Sequence, residues 1–370
     1  MITTRAPGKL FVAGEYAVVE PGEQAVLVAV DRYVTVRVTE GGGAGTVHSP
    51  DRTRLPLVWR RDRDGVRADV WPHPYGHVLS VLTVVERLRA ERGIPARYAD
   101  LRIESELDDA SGRKLGLGSS GAVTVATVRA LDRFYGLDLS EQQVFRLALL
   151  ATIRVTPTAS GGDVAASTFG GWVRYCSPDR AVLRESLENG SVRELLDADE
   201  PTGPWAGLTV EPVPAPRALR LLVGWTGTPA STERQVGEAR RRRDPGALGH
   251  AEFLAASHDC VGRLVHGLRT GDDGETMRAL RDARRVLAEL AAQTGLTVET
   301  ARLGALCDAA EAGGAAAKPS GAGGGDCGIA LAPDGSDVGP ILAGWRACGV
   351  RPLALAAAPR SEAPIGRRTR

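Results

Sequence analysis

The chain has 370 residues, 43% apolar and 25% charged, enough for two folded domains around one cleft. A formal net charge of +1 leaves no strong field to draw it to nucleic acid or an anionic membrane. No run of about 18 apolar residues offers a transmembrane helix, and the N-terminus lacks an apolar signal core, so a cytoplasmic location is expected.

The opening Arg5 to Tyr16 reads as a turn, a short strand and a second turn. Ala25 to Val30 and Tyr33 to Thr39 read as two strands, and the Arg/Asp-rich stretch 51–69 as an exposed hairpin. Tyr75 to Arg92 carries a helical stripe of Val78, Leu82, Val85 and Leu88. A strand near Ala99 to Leu107 leads to the glycine loop Gly116-Leu117-Gly118-Ser119-Ser120-Gly121, which runs into a helix, Ala122 to Tyr135, stopped by Gly136. A helix over about Ser140 to Thr152 precedes Thr158-Ala159-Ser160-Gly161-Gly162-Asp163, which opens a small-residue segment, Val164 to Ser167.

Prolines 201, 204, 212, 214 and 216 mark a domain boundary, giving 1–210, 211–360 and a disordered tail, 361–370. Leu219 to Trp225 reads as a strand and Arg240 to Arg243 as a solvated helix end. Helical periodicity returns at Leu254 to Leu268, at Met277 to Leu290 and over Val298 to Ala312. Lys318 to Asp326 is glycine-rich and runs into a strand, Cys327 to Leu331, followed by a final α/β unit.

Five cysteines with no CxxC pair read as reduced, buried thiols, and the histidine spacing offers no zinc site. Lysine is scarce: of 46 basic residues only Lys9, Lys114 and Lys318 are lysine, and each lies in or beside a glycine-rich segment. An ammonium serves phosphate as a compact point charge, which a planar guanidinium does not.

Glycines at 116, 118 and 121 let backbone N–H groups converge on an anion, and the following helix adds its N-terminal dipole. Neither the Walker A nor the dinucleotide pattern is present, and the loop alone also fits a tight helix-packing turn. Asp163 could orient or deprotonate an attacking hydroxyl, or simply cap a helix. Lys9 beside Asp163 would lower the carboxyl pKa and stabilise a transferred phosphoryl group; alone it is a surface lysine. The Lys318 segment suits close backbone approach or a linker.

Together and in this order, Pro7 to Tyr16, Gly116 to Ala122 and Lys318 to Cys327 resemble the three motifs of the GHMP kinases, over about residues 5 to 355. Lys9 to Pro21, Lys114 to Val123, Ser160 to Ser167 and Gly224 to Thr232 place the resemblance closest to the bacterial phosphomevalonate kinases. It implies an α+β two-domain fold, with a ribosomal-protein-S5-like N-terminal domain and a ferredoxin-like C-terminal domain. It implies ATP on Lys114, Gly116, Leu117, Gly118, Ser119, Ser120, Gly121 and Ala122, with Mg²⁺ near Ser120. Asp163 would be the catalytic aspartate and Lys9 its partner. Tyr16, Ser160, Gly161, Ser320, Gly321 and Ala322 would face the acceptor, phosphomevalonate, in a monomer or homodimer.

Two departures stand out. Thr152 occupies the place of a metal-binding glutamate in mevalonate kinases, and Thr156 to Ala159 lacks a basic residue that relatives carry there. The rival readings are mevalonate phosphorylation, the related diphosphate decarboxylase, and a non-catalytic nucleotide- or RNA-binding module. Tyr16, the Gly8-to-Glu15 opening, and Lys9 with Asp163 argue against them in turn.

Overall fold

The computed structural model describes residues 1–49, 56–62, 65–69, 75–198, 203–229 and 248–361. Arg240 to Arg243 and the tail beyond residue 361 lie outside them. Among the described residues no helix is long and apolar enough to cross a membrane.

The first domain is built on an antiparallel-rich sheet around one long strand. β1 (Ile2–Ala13) lies along β2 (Gln24–Glu40), whose far edge pairs with β6 (Ala99–Ser105) at one end and β7 (Trp172–Cys176) at the other. The remaining order is β5 (Gly65–Ala68), β4 (Leu57–Asp62) and β3 (Gly45–His48) outside β6, with β8 (Thr209–Val213) outside β7. Two expectations are corrected here. Pro7-Gly8 makes no turn: the ladder passes through it with a register shift between the two residues. Asp31-Arg32 does not end a strand, because β1 and then β6 hold the backbone of β2 on both sides of that polar pair. β4 and β5 form the expected hairpin, but Leu57 and Trp59 point into the core.

Four helices cover the inner face: α1 (Gly76–Glu91), α2 (Ser119–Tyr135), α3 (Glu141–Val155) and α4 (Gly162–Phe169). The stripe on α1 is buried as its spacing predicts, Val78, Leu82, Val85 and Leu88 all being within 1% of full burial. α3 starts in a capping box, with Ser140 and Gln143 exchanging side-chain and backbone bonds. α2 begins at Ser119, a turn earlier than the sequence suggests, so both loop serines sit in its first turn. The small α5 (Arg180–Asn189) and α6 (Val192–Asp197) complete this layer.

The second domain carries a four-stranded sheet, ordered β10 (Ala316–Pro319), β11 (Cys327–Pro333), β9 (Leu219–Trp225) and β12 (Arg351–Leu353). Helices α7 (Leu248–Thr270), α8 (Asp273–Thr294), α9 (Ala301–Ala312) and α10 (Gly339–Ala347) pack around it. The first sheet keeps the chain through Val213 and the second takes it at Leu219, so the turn at 214–218 joins the two. The chain then returns to the first domain: Ala358 N donates to Ala29 O, and Ser361, assigned to the tail by sequence, donates to Phe169 O. Cys176, Cys260, Cys307 and Cys327 are buried free thiols, and burial pushes Cys260 and Cys307 up to about 12; Cys348 departs from the expectation and is exposed.

One polar network braces α1 against the sheet. Arg61 forks onto Glu86 at 2.6 and 2.7 Å, Arg89 reaches the same carboxylate at 2.8 Å, and Tyr135 donates its hydroxyl to it. Burial alone would raise the Glu86 pKa, but the bonds from Arg61, Tyr135 and Arg89 outweigh it and hold the carboxyl below its ordinary range. The stabilisation is present above the unfolded carboxyl value of 4.5 and is lost as pH falls through the lower folded value. Glu86→Gln is therefore expected to melt below wild type at pH 7, with the gap in Tm narrowing as the pH drops under about 4. A gap constant from pH 7 to pH 3 would show that the charge contributes nothing.

Candidate active site

β1, α2 and α4 converge on a cleft of about 1240 Å³, larger than the 300–1,000 Å³ usual for one small ligand, and so roomy enough for a nucleotide and an acceptor. Its floor is the glycine loop. Leu115 N donates to Leu107 O at 3.1 Å, and Lys9 N to Leu117 O at 2.8 Å, so the loop hangs between β6 and β1. Gly118 takes a left-handed conformation (φ 75°) and turns the chain into α2 at Ser119. The first N–H groups of α2 have no partner within the helix and form, with the dipole, an anion seat.

The two catalytic candidates flank this seat on glycine faces. A Cβ on Gly118 would lie 2.7 Å from Lys9 Cε, and one on Gly121 would lie 2.8 Å from Asp163 Oδ2. Lys9 leans over the Phe11 ring at 5.2 Å, and Asp163 accepts from Ser120 Oγ at 3.3 Å. Asp163 stands in the first turn of α4, whose start is set by Gly161 (φ 86°). The bulge in β1 is tied to that helix, since Ser167 Oγ donates to Pro7 O at 2.8 Å. The direct pairing expected from sequence is corrected: Lys9 is half-buried, and no ion pair joins it to Asp163 among the described residues. They face the same space from two sides of the loop.

Other predicted residues divide. Lys114, Gly116, Leu117, Gly118, Ser119, Ser120, Ser160, Gly321, Ala322 and Tyr16 line the cleft. Gly121 and Ala122 are buried behind the loop, and Gly161 backs onto Leu149 and Tyr175. Ser320 stands apart from the cleft: its hydroxyl donates to Phe11 O and accepts from Phe11 N, both at 2.9 Å. Tyr16 donates its hydroxyl to Ala322 O. Both hydroxyls are therefore engaged at the domain junction rather than turned to a ligand.

The residues missed by sequence are carboxylates. Asp326 has φ 54°, rare for a non-glycine residue, and lies so close to Gly116 that a Cβ there would meet its carboxylate carbon at 2.5 Å. Glu15 lines the cleft and reaches Lys318 of the other domain. The glycine at 116 was the one local sign of Asp326, and nothing near Glu15 in sequence pointed to Lys318.

Among the described lining residues Lys9 and Lys114 are the cations, against Glu15, Asp108, Asp109, Asp163 and Asp326. Two of these carboxylates are already paired, Glu15 with Lys318 and Asp109 with Arg113. Ser120 Oγ and Asp163 Oδ2 are hard oxygen donors set side by side, which suits Mg²⁺ carrying phosphate and water as its other ligands. Thr152 reaches the cleft but turns its hydroxyl to Ala148 O at 2.9 Å.

This architecture has relatives. The GHMP kinases N terminal domain family model matches residues 79–171, and the GHMP kinases C terminal model matches 264–351. Phosphomevalonate kinase of Streptomyces sp. (strain CL190) is 47% identical over 369 residues, covering 96% of both chains. A Streptococcus pneumoniae phosphomevalonate kinase solved with phosphomevalonate and AMPPNP superposes with a TM-score of 0.84 at 28% identity, covering 96% of this chain and 100% of that one. The Lin0012 protein of Listeria innocua superposes at 0.88 with 31% identity, over 97% and 99%. With its three motifs gathered around one cleft, the chain belongs to the GHMP kinase family and, within it, to the phosphomevalonate kinases.

Proposed function

We propose that this cleft transfers the γ-phosphoryl group of ATP to 5-phosphomevalonate, giving ADP and 5-diphosphomevalonate, in the cytoplasm. The observation that carries the reading is the placement of Lys9 and Asp163 on Gly118 and Gly121, one on each side of an anion-binding helix start. The glycine loop and the first turn of α2 bind the nucleotide phosphates through backbone N–H groups. Ser120 and Asp163 would hold Mg²⁺, which neutralises charge on the β- and γ-phosphates. Lys9 is placed to stabilise charge on the group in transit. An acceptor phosphate is largely ionised near neutral pH, so Asp163 works by orienting Ser120 and the acceptor oxygen rather than by strong-base chemistry. In-line positioning then supplies most of the rate.

Acceptor choice would be read by the stretch of lining that Thr156, Thr158, Ala159 and Ser160 contribute. ADP release measured with mevalonate, phosphomevalonate, diphosphomevalonate, homoserine and galactose should show turnover with phosphomevalonate far above the rest. Strong turnover of mevalonate without turnover of its phosphate would overturn the acceptor assignment. The mevalonate reading gains nothing from Thr152, which stands where that reaction's metal-binding glutamate would be and is tied to Ala148.

A further inference from the structure

We propose that Glu15 and Lys318 are positioning residues for the acceptor: their buried pair across the domain junction holds the Gly321–Ala322 lip of the cleft in register. The inference rests on the kinase reading above only for the identity of the acceptor.

Lys318 is 0% exposed and Glu15 4%. The Lys318 ammonium donates to Glu15 Oε1 and, at 2.6 Å, to Pro319 O. The same Glu15 oxygen accepts from Gly321 N at 3.2 Å, so one carboxylate oxygen binds the partner domain's cation and the amide of the lip. Its other oxygen, Oε2, is buried with no partner in the protein. Glu15 also lines a small, partly open cavity of about 10 Å³, walled by Gly14, Ser257 and Cys260 and by the apolar side chains of Ala283, Val286 and Leu287.

The surrounding contacts act on the same segment. Ser320 bonds both backbone groups of Phe11, and Tyr16, itself held at φ 62°, donates to Ala322 O. Strain of that kind persists only where neighbours over-determine it. A buried ion pair is poor evidence for stability, because well-packed apolar residues often do as well. What an apolar pair could not do is accept the Gly321 amide at the rim of the cleft. Scarcity of lysine in the chain makes the retained ammonium at 318 consistent with a positional task.

The test is a split of Michaelis constants. Lys318→Met should raise KM for phosphomevalonate at least about tenfold while leaving KM for ATP within about twofold. Adding Glu15→Gln to it should recover part of that loss, since a neutral amide oxygen still accepts the Gly321 amide without a buried unpaired charge. Unchanged acceptor KM in Lys318→Met, or equal rises in both constants tracking a lower Tm, would overturn the proposal. Should Lys318→Met fail to fold, Glu15→Gln alone is measured: a rise of at least about threefold in acceptor KM supports the proposal, and no change overturns it. A wrong acceptor shows in the wild-type panel; the ratio of variant to wild type is then read on whichever acceptor the wild type uses.

Discussion

Asp163→Asn is expected to lower kcat at least about 10²-fold while Tm stays near wild type, and Lys9→Met to do the same. Asn keeps the shape that packs on Gly121 and can still meet Ser120 Oγ, so little of the fold depends on the lost charge. What it removes is the anionic oxygen that would face Mg²⁺ and orient the acceptor. Met fills the space of the Lys9 stem over Gly118 and Phe11, and removes only the ammonium. Because both charges act on the group in transit, kcat and kcat/KM should fall together, with KM for ATP little changed. Near-wild-type turnover in either folded variant would sink the assignment of these two residues.

Gly118→Ala should cost about 10²-fold in kcat/KM, and the reason lies in Lys9 rather than in the loop alone. The added methyl would sit 2.7 Å from Lys9 Cε and 3.0 Å from Cγ, so the lysine must leave its place. Displacing a catalytic group by about 1 Å is enough for a loss of that size. The substitution also strains a backbone at φ 75°, at about 1–2 kcal/mol. Gly22→Ala separates the two effects: Gly22 has φ 82°, but nothing lies within 4 Å of its would-be Cβ. Similar Tm losses with activity lost only in Gly118→Ala are expected. Equal activity in both would show that Lys9 needs no contact with the loop.

The three lysines show how far local pattern reaches. Rarity and glycine neighbours single out all three, but the structure gives them separate places: Lys9 on the phosphate loop, Lys114 exposed at the cleft rim, Lys318 sealed between domains. The reach differs as well: Lys114 forms a β-bridge with nearby Asp108, Lys9 meets the loop at Gly118, and Lys318 finds Glu15 at the other end of the chain, beyond any window of sequence.

Taken alone, the sequence determined the periods of many helices and strands and the three glycine motifs, because each is written by neighbours within a turn or a strand pair; β7, α5, α6 and β8 were not legible in it. Leu219–Trp225 even has its predicted bounds. The tertiary structure decided which polar groups meet. It joined two predicted strands into β2 by pairing them with β1, separated Lys9 from Asp163 across the loop, and turned Ser320 and Tyr16 to the domain junction. It also brought Asp326 and Glu15 to the cleft. Hydrogen bonds and close approach depend on distances across the fold, and those distances are set only when the two domains close on one another.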